Sequence, residues 1–226
     1  MSHPMISALT SRARHLLADV RAVAATEFAI VTPFMLLLYI GGVELGTALS
    51  MNVKVSATAH SVADMITQNT SVSPSQMDGI LAAATAIMAP YPIKNGSTSL
   101  MTITVSEVST DSSGNATVQW SKSTSASGAR TPGTAMTLSS FTAPGGTTNA
   151  NISLILSEVS YDYTPNLGFT IAGTVKLSDS YYLFPRCSTN GPGGSSSPPY
   201  YDVKYSTTYP TSTTCTCVQH LQQKTC

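Results

Sequence analysis

Three groups of residues in this chain have the types and spacing to do chemistry. The first is one carboxylate, Glu27, near the start of the run "RAVAATEFAIVTPFMLLLYIGG" from Arg21 to Gly42. Between Ala22 and Val43 the chain is apolar apart from Thr26, Glu27 and Thr32, about the 20 residues that span a hydrocarbon core. An acid in such a place is costly unless it is neutralised or paired, so it marks a functional position. The second group is Cys187, Cys215, Cys217 and Cys226, all in the last fifth of the chain. An even number beyond an apolar segment reads as disulfides made in an oxidising compartment. The single residue between Cys215 and Cys217 strains a bridge between them. Cys187 then pairs with one of these two and Cys226 with the other. A zinc site fits poorly, because "CTC" with His220 has neither ligand spacing of such sites, and no metal is expected.

The third group is Glu107 and Glu158, which occupy matching places in "TVSEVS" and "ILSEVS". Two carboxylates set about 5 to 10 Å apart can do glycosidase chemistry. Both, however, lie at strand ends between serines, where solvent-facing acids are ordinary, so catalysis is not expected. No nucleophile elbow, zincin, phosphate-loop or dinucleotide motif occurs, and His3, His15, His60 and His220 are scattered. The chain therefore reads as non-enzymatic, with no cofactor and no small-molecule substrate. Formal net charge is +0 and charged residues are 10% of the chain; without a basic stripe there is no nucleic-acid partner.

The elements that must position these residues follow from periodicity. Arg12, Arg14 and Arg21 precede the apolar run with Asp19 the only acid among them, which places the N-terminus in the cytoplasm and the bulk of the chain outside it. A cleaved signal peptide is the alternative, but Glu27 would then open its apolar core, and helical patterning continues past the span. Leu45, Leu49, Val53, Ala59, Val62, Ala63 and Ile66 recur at three- and four-residue spacings, so one helix is expected from about Ala22 to Gln68. Pro33 is expected to kink it. A second helix starts at Ser73, with Pro74 at its first position and Gln76 completing a capping box, and stops at Pro90 and Pro92.

Four strands are expected beyond it, at Ser99–Val108, Asn115–Ser121, Ile152–Tyr163 and Phe169–Leu177. They form two similar hairpins rather than a repeat. Ser123–Asn149 reads as a long surface excursion, and Asn190–Pro199 as another. The fold class is thus α+β: a long N-terminal transmembrane helix, then a domain with an antiparallel sheet. The expected divisions are a basic leader at 1–22, a membrane helix continuing into the domain at 23–68, an α+β ectodomain at 69–186, and a Cys-rich tail at 187–226.

A short basic leader, then "AVAATEF", then an unbroken apolar helix resembles the type IV pilin-like proteins, specifically the TadE/TadF-like pseudopilins of tight-adherence (Flp) pilus systems. "SEVSYDYTP" (157–165) and "LFPR" (183–186) resemble segments of the TadE-like ectodomain, while the tail from Cys187 lies outside the likeness. The resemblance implies a prepilin peptidase that cuts between Ala22 and Val23, Ala22 standing where the family has Gly. Glu27 is then the fifth mature residue, followed by the aromatic Phe28. It further implies a membrane partner, other pilins and pilus-assembly components, and a single-pass protein of the bacterial inner membrane with its C-terminal domain in the periplasm. Glu27 of one subunit would neutralise the new α-amino group on Val23 of a neighbour. The competing class is a membrane-anchored extracytoplasmic adhesion or binding module unrelated to pili.

Overall fold

The computed structural model describes residues 20–111, 113–137, 152–165, 173–188, 203–205, 216–219 and 222–225. The chain divides into two units, one holding residues up to Ala48 together with 165–173, the other holding Leu49–Thr164 and the chain from Thr174 onward.

Helix α1, Val20–Thr67, contributes to both units. At about 1.5 Å per residue its 48 residues rise about 72 Å. In the first unit Phe28, Ile30, Phe34, Leu37, Leu38 and Tyr39 are all exposed. An 18-residue window here has mean hydropathy 1.9, so this segment is long and apolar enough to cross a membrane. Pro33 sits inside the helix and has no N–H to give. Beside it the Thr32 hydroxyl donates to the Phe28 carbonyl at 2.7 Å, a bond that membrane helices use to keep polar groups satisfied.

In the second unit the same helix buries Met51, Val55, Ala59, Val62, Ala63 and Ile66. The expected stripe is therefore right from Ala59 onward and out of phase before it. Leu45, Leu49 and Val53 are exposed, and Met51 and Val55 take the buried positions. Apolar residues occur on more than one side of the helix there, so spacing alone could not choose the buried side.

After β1 (Ser71–Val72) comes α2 (Pro74–Thr85), capped as its sequence demands. The Gln76 N–H donates to the Ser73 hydroxyl, and the Ser73 N–H donates to the Gln76 side chain at 2.9 Å. The helix ends earlier than expected: a 3-10 turn, Ala86–Met88, intervenes before Pro90. Lys54 of α1 donates to the Ile87 and Ala89 carbonyls at 3.0 and 2.7 Å, satisfying groups that the helix end leaves open.

The short β2 (Lys94–Asn95) and β3 (Thr98–Ser99) pair with each other. The main sheet consists of β4 (Met101–Thr110), β5 (Ala116–Ser123), β6 (Ala135–Met136), β7 (Ser153–Tyr163) and β8 (Val175–Leu183), in the order β6-β5-β4-β7-β8, all antiparallel. The two expected hairpins are thus β4–β5 and β7–β8, joined through the central β4–β7 pair. The fourth strand begins at Val175 and runs past Leu177 to Leu183, because "VKLSDSYYL" keeps a two-residue alternation throughout; residues 166–172, where its expected start falls, lie outside the described residues. Part of the expected excursion after Ser123 is also structured, since β6 pairs with β5.

One face of this sheet carries Ile103, Val105, Ile155, Val159 and Tyr161, all buried. Several contacts join that face to the helices and the segment after them: His60 of α1 stacks on Tyr181 with ring centroids 3.5 Å apart, Lys122 pairs with Asp78 of α2 at 3.2 Å, and the Tyr161 hydroxyl donates to the carbonyl of Pro92, beyond the helices, at 2.8 Å. The tail adds β9 (Cys187–Ser188), β10 (Lys204–Tyr205), β11 (Thr216–Gln219) and β12 (Gln222–Thr225). β10 pairs in parallel with β1, and β9, β11 and β12 form a three-stranded antiparallel sheet.

Candidate functional site

Glu27 and Phe28 lie in the first unit, in the exposed apolar part of α1, with Val23 one turn earlier. All three are exposed, and Phe28 is 73% accessible. Residues four apart on a helix are neighbours on its surface, about 5–6 Å between Cβ atoms, so Val23 and Glu27 share one face. Thr26 donates its hydroxyl to the Val23 carbonyl at 2.8 Å. The Ala22–Val23 peptide bond falls within the first turn of α1, which starts at Val20. Val23 and Glu27 thus share one open helix face, with the exposed Phe28 ring about 100° further round the helix.

The structure overturns the reading of the two sheet carboxylates as a matched, solvent-facing pair. The β4–β7 register sets Glu107 opposite Ile155 and Glu158 opposite Thr104. An odd and an even residue of neighbouring strands in this register face opposite sides of the sheet. Glu107 points to the helix-covered face and is fully buried. Its carboxylate accepts from Trp120 Nε1 and Ser153 Oγ, each at 2.5 Å, and from the Val203 N–H at 3.2 Å. The Trp120 N–H also reaches the Val203 carbonyl at 2.7 Å, and the Trp120 and Tyr205 rings lie 5.4 Å apart. Glu107 and Trp120 together therefore clasp the 203–205 segment onto the sheet. A buried charge is tolerable when donors converge on it in this way.

A β-bulge makes the clasp possible. The β4–β5 register shifts between Glu107 and Val108, so that Glu107 faces Trp120 while Val108 faces Val118, with Gln119 as the extra residue. Trp120 and Val118 consequently serve opposite faces despite their two-residue spacing. Val118 joins Val108, Ala116 and Leu154 in a small apolar cluster on the other face. Gln119 bonds Ser109 Oγ at 2.8 Å and Thr117 Oγ1 at 3.1 Å.

Glu158 lies on that other face, which is rich in hydroxyls. Thr104 and Ser123 oxygens are 2.9 Å apart, as are those of Ser106 and Ser121, so hydroxyl pairs bridge β4 to β5. The 124–134 segment folds back over these pairs and delivers Arg130. Its guanidinium forms a two-pronged ion pair with Glu158, through Nη1 to Oε2 and through Nη2 to Oε1 at 2.8 Å. Hydrogen bonding to Glu158 holds the Arg130 guanidinium above its ordinary pKa. The segment can lie this close because residue 128 is glycine: a Cβ there would stand 2.3 Å from Ser123 Oγ and 3.3 Å from Thr104 Oγ1. Arg130 and Glu158 line an open polar groove of about 470 Å³ together with Thr102, Thr104, Lys176 and Ser178. Sequence reasoning passed over Arg130, although a signal existed: it is the sole charged residue between Ser123 and Asn149.

Of the four cysteines, Cys187 and Cys217 fall in described strands, and the antiparallel register pairs them directly. Cys215 and Cys226 lie outside the described residues, as do His3, His15 and His220.

Residues 22–64 match the family model described as TadE-like protein. No curated protein and no solved structure matches the chain. The match begins at Ala22, takes in Val23, Glu27 and Phe28, and ends within the buried part of α1.

Proposed function

We propose, with the TadE-like match over residues 22–64 as the premise, that this chain is a non-enzymatic, pseudopilin-like component of a tight-adherence (Flp) pilus system. The observation that carries the reading is the coincidence of that match with a helix whose first half exposes a lipid-compatible surface interrupted by one carboxylate, Glu27. The first half of α1 anchors the chain in the bacterial inner membrane, the N-terminus is cytoplasmic, and the sheet domain is periplasmic. The basic residues Arg12, Arg14 and Arg21 on one side of the apolar run support this orientation.

Prepilin peptidase cuts between Ala22 and Val23. That bond lies in the opening residues of the described helix, ahead of its exposed apolar stretch. Cleavage leaves an ammonium on Val23 in a place where water is scarce. Glu27 of a neighbouring pilin or pilus-base subunit supplies the compensating charge, and Phe28 adds apolar contact area beside it.

The test is the N-terminal sequence of the protein purified from cells that do or do not express the peptidase. A start at Val23 only when the peptidase is present is expected; Ala22→Leu should abolish it, and Glu27→Gln should permit cleavage but weaken co-purification with partner pilins. An unchanged N-terminus in both strains would overturn the processing step. Alkaline phosphatase fused after Asn69 should be active, and an inactive fusion paired with an active cytoplasmic reporter would overturn the orientation.

A further inference from the structure

We propose that the polar groove over β4, β7 and β8 binds an uncharged saccharide chain. Its floor is two rows of side chains that run across the three strands. The β4–β7 and β7–β8 registers place Thr104, Glu158 and Ser180 in one row and Thr102, Ser160 and Ser178 in the next. Neighbouring strands stand about 4.8 Å apart and residues two apart along a strand about 7 Å, so the floor is a regular lattice of polar groups. On the β5 side of the same face the hydroxyls satisfy one another, Thr104 with Ser123 and Ser106 with Ser121. On the β7–β8 side they do not. Among the described residues nothing bonds the hydroxyls of Thr102, Ser160, Ser178 or Ser180, and these residues line the groove of about 470 Å³.

The lining selects for a ligand whose groups both donate and accept. Arg130 and Glu158 hold each other by two prongs, which leaves spare guanidinium N–H groups and carboxylate lone pairs at fixed positions. Lys176 and Asp179 add a cation and an acid to the lining, and Asp162 stands opposite Lys176 in the ladder. A phosphate or carboxylate ligand would therefore face Glu158, Asp162 and Asp179, and a cationic one Arg130 and Lys176. An apolar ligand finds no surface to cover, because Val159, the one purely hydrocarbon side chain among the lining residues, is buried on the other face of the sheet. The same lack of an apolar pocket disfavours a peptide, whose side chains need such pockets to be told apart. Sugar hydroxyls donate and accept at once, and they match a mixed lattice of hydroxyls, carboxylates and N–H groups.

The groups that would meet the ligand are held in place beforehand. The floor residues sit on paired strands, and Arg130 is fixed by Glu158 and by the close seat of Gly128 against Ser123 and Thr104. Little ordering is left to oppose binding. The groove lies wholly within the second unit, so its reading stands apart from processing at Ala22–Val23 and from the pilus assignment.

Saturation-transfer NMR on the full chain, held in a zwitterionic detergent without a sugar headgroup, tests this with cellohexaose, mannohexaose and chitohexaose. At least one of them should bind with a Kd of about 1 mM or tighter. Ser178→Leu, an exposed change on the floor, and Arg130→Gln should each weaken that binding about tenfold. Ser97→Leu, equally exposed but in the β2–β3 turn, should leave it unchanged. Emission from Trp120, on the opposite face, should match the unsubstituted chain in every variant, which separates loss of the site from loss of the fold. No binding of any of the three, or binding that Ser178→Leu and Arg130→Gln leave intact, overturns the proposal. So does a galacturonate hexamer that binds more tightly than all three, or a glycine-serine peptide that binds in their place and is lost with the same two variants.

Discussion

Ser106–Ser109 and Ser157–Ser160 are the same four residues, Ser-Glu-Val-Ser, on the two central strands of one sheet, yet they do opposite things. Glu107 is fully buried against the helix-covered face and gathers Trp120, Ser153 and the Val203 N–H. Glu158 lies on the hydroxyl-rich face, about a third exposed, and pairs with Arg130. The serines invert as well. Ser106 bonds Ser121 on the hydroxyl face, whereas Ser157 is fully buried with an oxygen that finds no partner among the described residues. The difference comes from register: the two segments are offset by an odd number of positions along the β4–β7 ladder, and an odd offset exchanges the faces. An acid's role here is set by what its face packs against rather than by its neighbours in the chain.

Breaking the buried member should have the largest effect. Glu107→Ala leaves the Trp120 and Ser153 donors in a dry site and should cost about 3 kcal/mol of stability, with Glu107→Gln costing somewhat less because its amide oxygen still accepts while only its NH2 meets a donor. Urea unfolding of the full chain in detergent measures this, and Trp120, the single tryptophan, reports directly on the site. A loss no greater than that of Glu158→Gln would remove the distinction between the two segments.

Next in size is Gly128→Ala. The added methyl collides with Ser123, so the 124–134 segment must lift and take Arg130 with it, at a cost of about 1–2 kcal/mol. The Trp120 environment should stay unchanged, since the clasp lies on the opposite face. Fluorescence that shifts as much as it does in Glu107→Gln would show that the faces are not independent.

The Arg130–Glu158 pair should be worth less. It is two-pronged but about a third exposed, so a double-mutant cycle with Arg130→Gln and Glu158→Gln should give a coupling of about 0.5–1 kcal/mol that shrinks in high salt. Ser157→Ala reverses the usual sign: it removes a buried hydroxyl without a partner among the described residues and should stabilise by up to about 1 kcal/mol, while Ser106→Ala, which breaks a hydrogen bond, should destabilise. Equal effects of the two would contradict the assignment of faces.

The smallest effect concerns pH, at the end of β4. The Asn115 side chain and backbone, with the Ser113 and Gly114 N–H groups, hold the Asp111 carboxyl below its ordinary 3.8. A lowered native value means that the ionised acid stabilises the fold above pH 3.8 and that this contribution fades as pH falls below it toward the native value. Asp111→Asn should flatten the stability curve slightly in that acid range only. Flattening near neutral pH instead would mean that another group is responsible.

Much of this was legible in the chain before folding. The capping box at Ser73 and Gln76 formed as written, since it depends on residues three apart. The length of α1 and its lipid-compatible half followed from an unbroken apolar run. Three of the four strands came close to their expected limits, while "VKLSDSYYL" was cut short because a polar alternating run looks like a loop until a sheet is there to receive it. Arg130 was illegible as a site residue because its partner lies 28 positions away and is reached only through a fold-back.

What the sequence determined by itself, then, was everything carried by short-range physics: a helix long and apolar enough to cross a membrane, the cap of the second helix, and the alternation of the strands. Tertiary structure alone decided which side of each strand meets the helices. The bulge at Gln119 turned Trp120 toward Glu107, an odd register offset sent Glu158 the other way, and the Cys187–Cys217 opposition arose from pairing strands far apart in the chain. A period of two fixes that successive side chains alternate, but leaves the phase to whatever long-range contacts bury the larger apolar area.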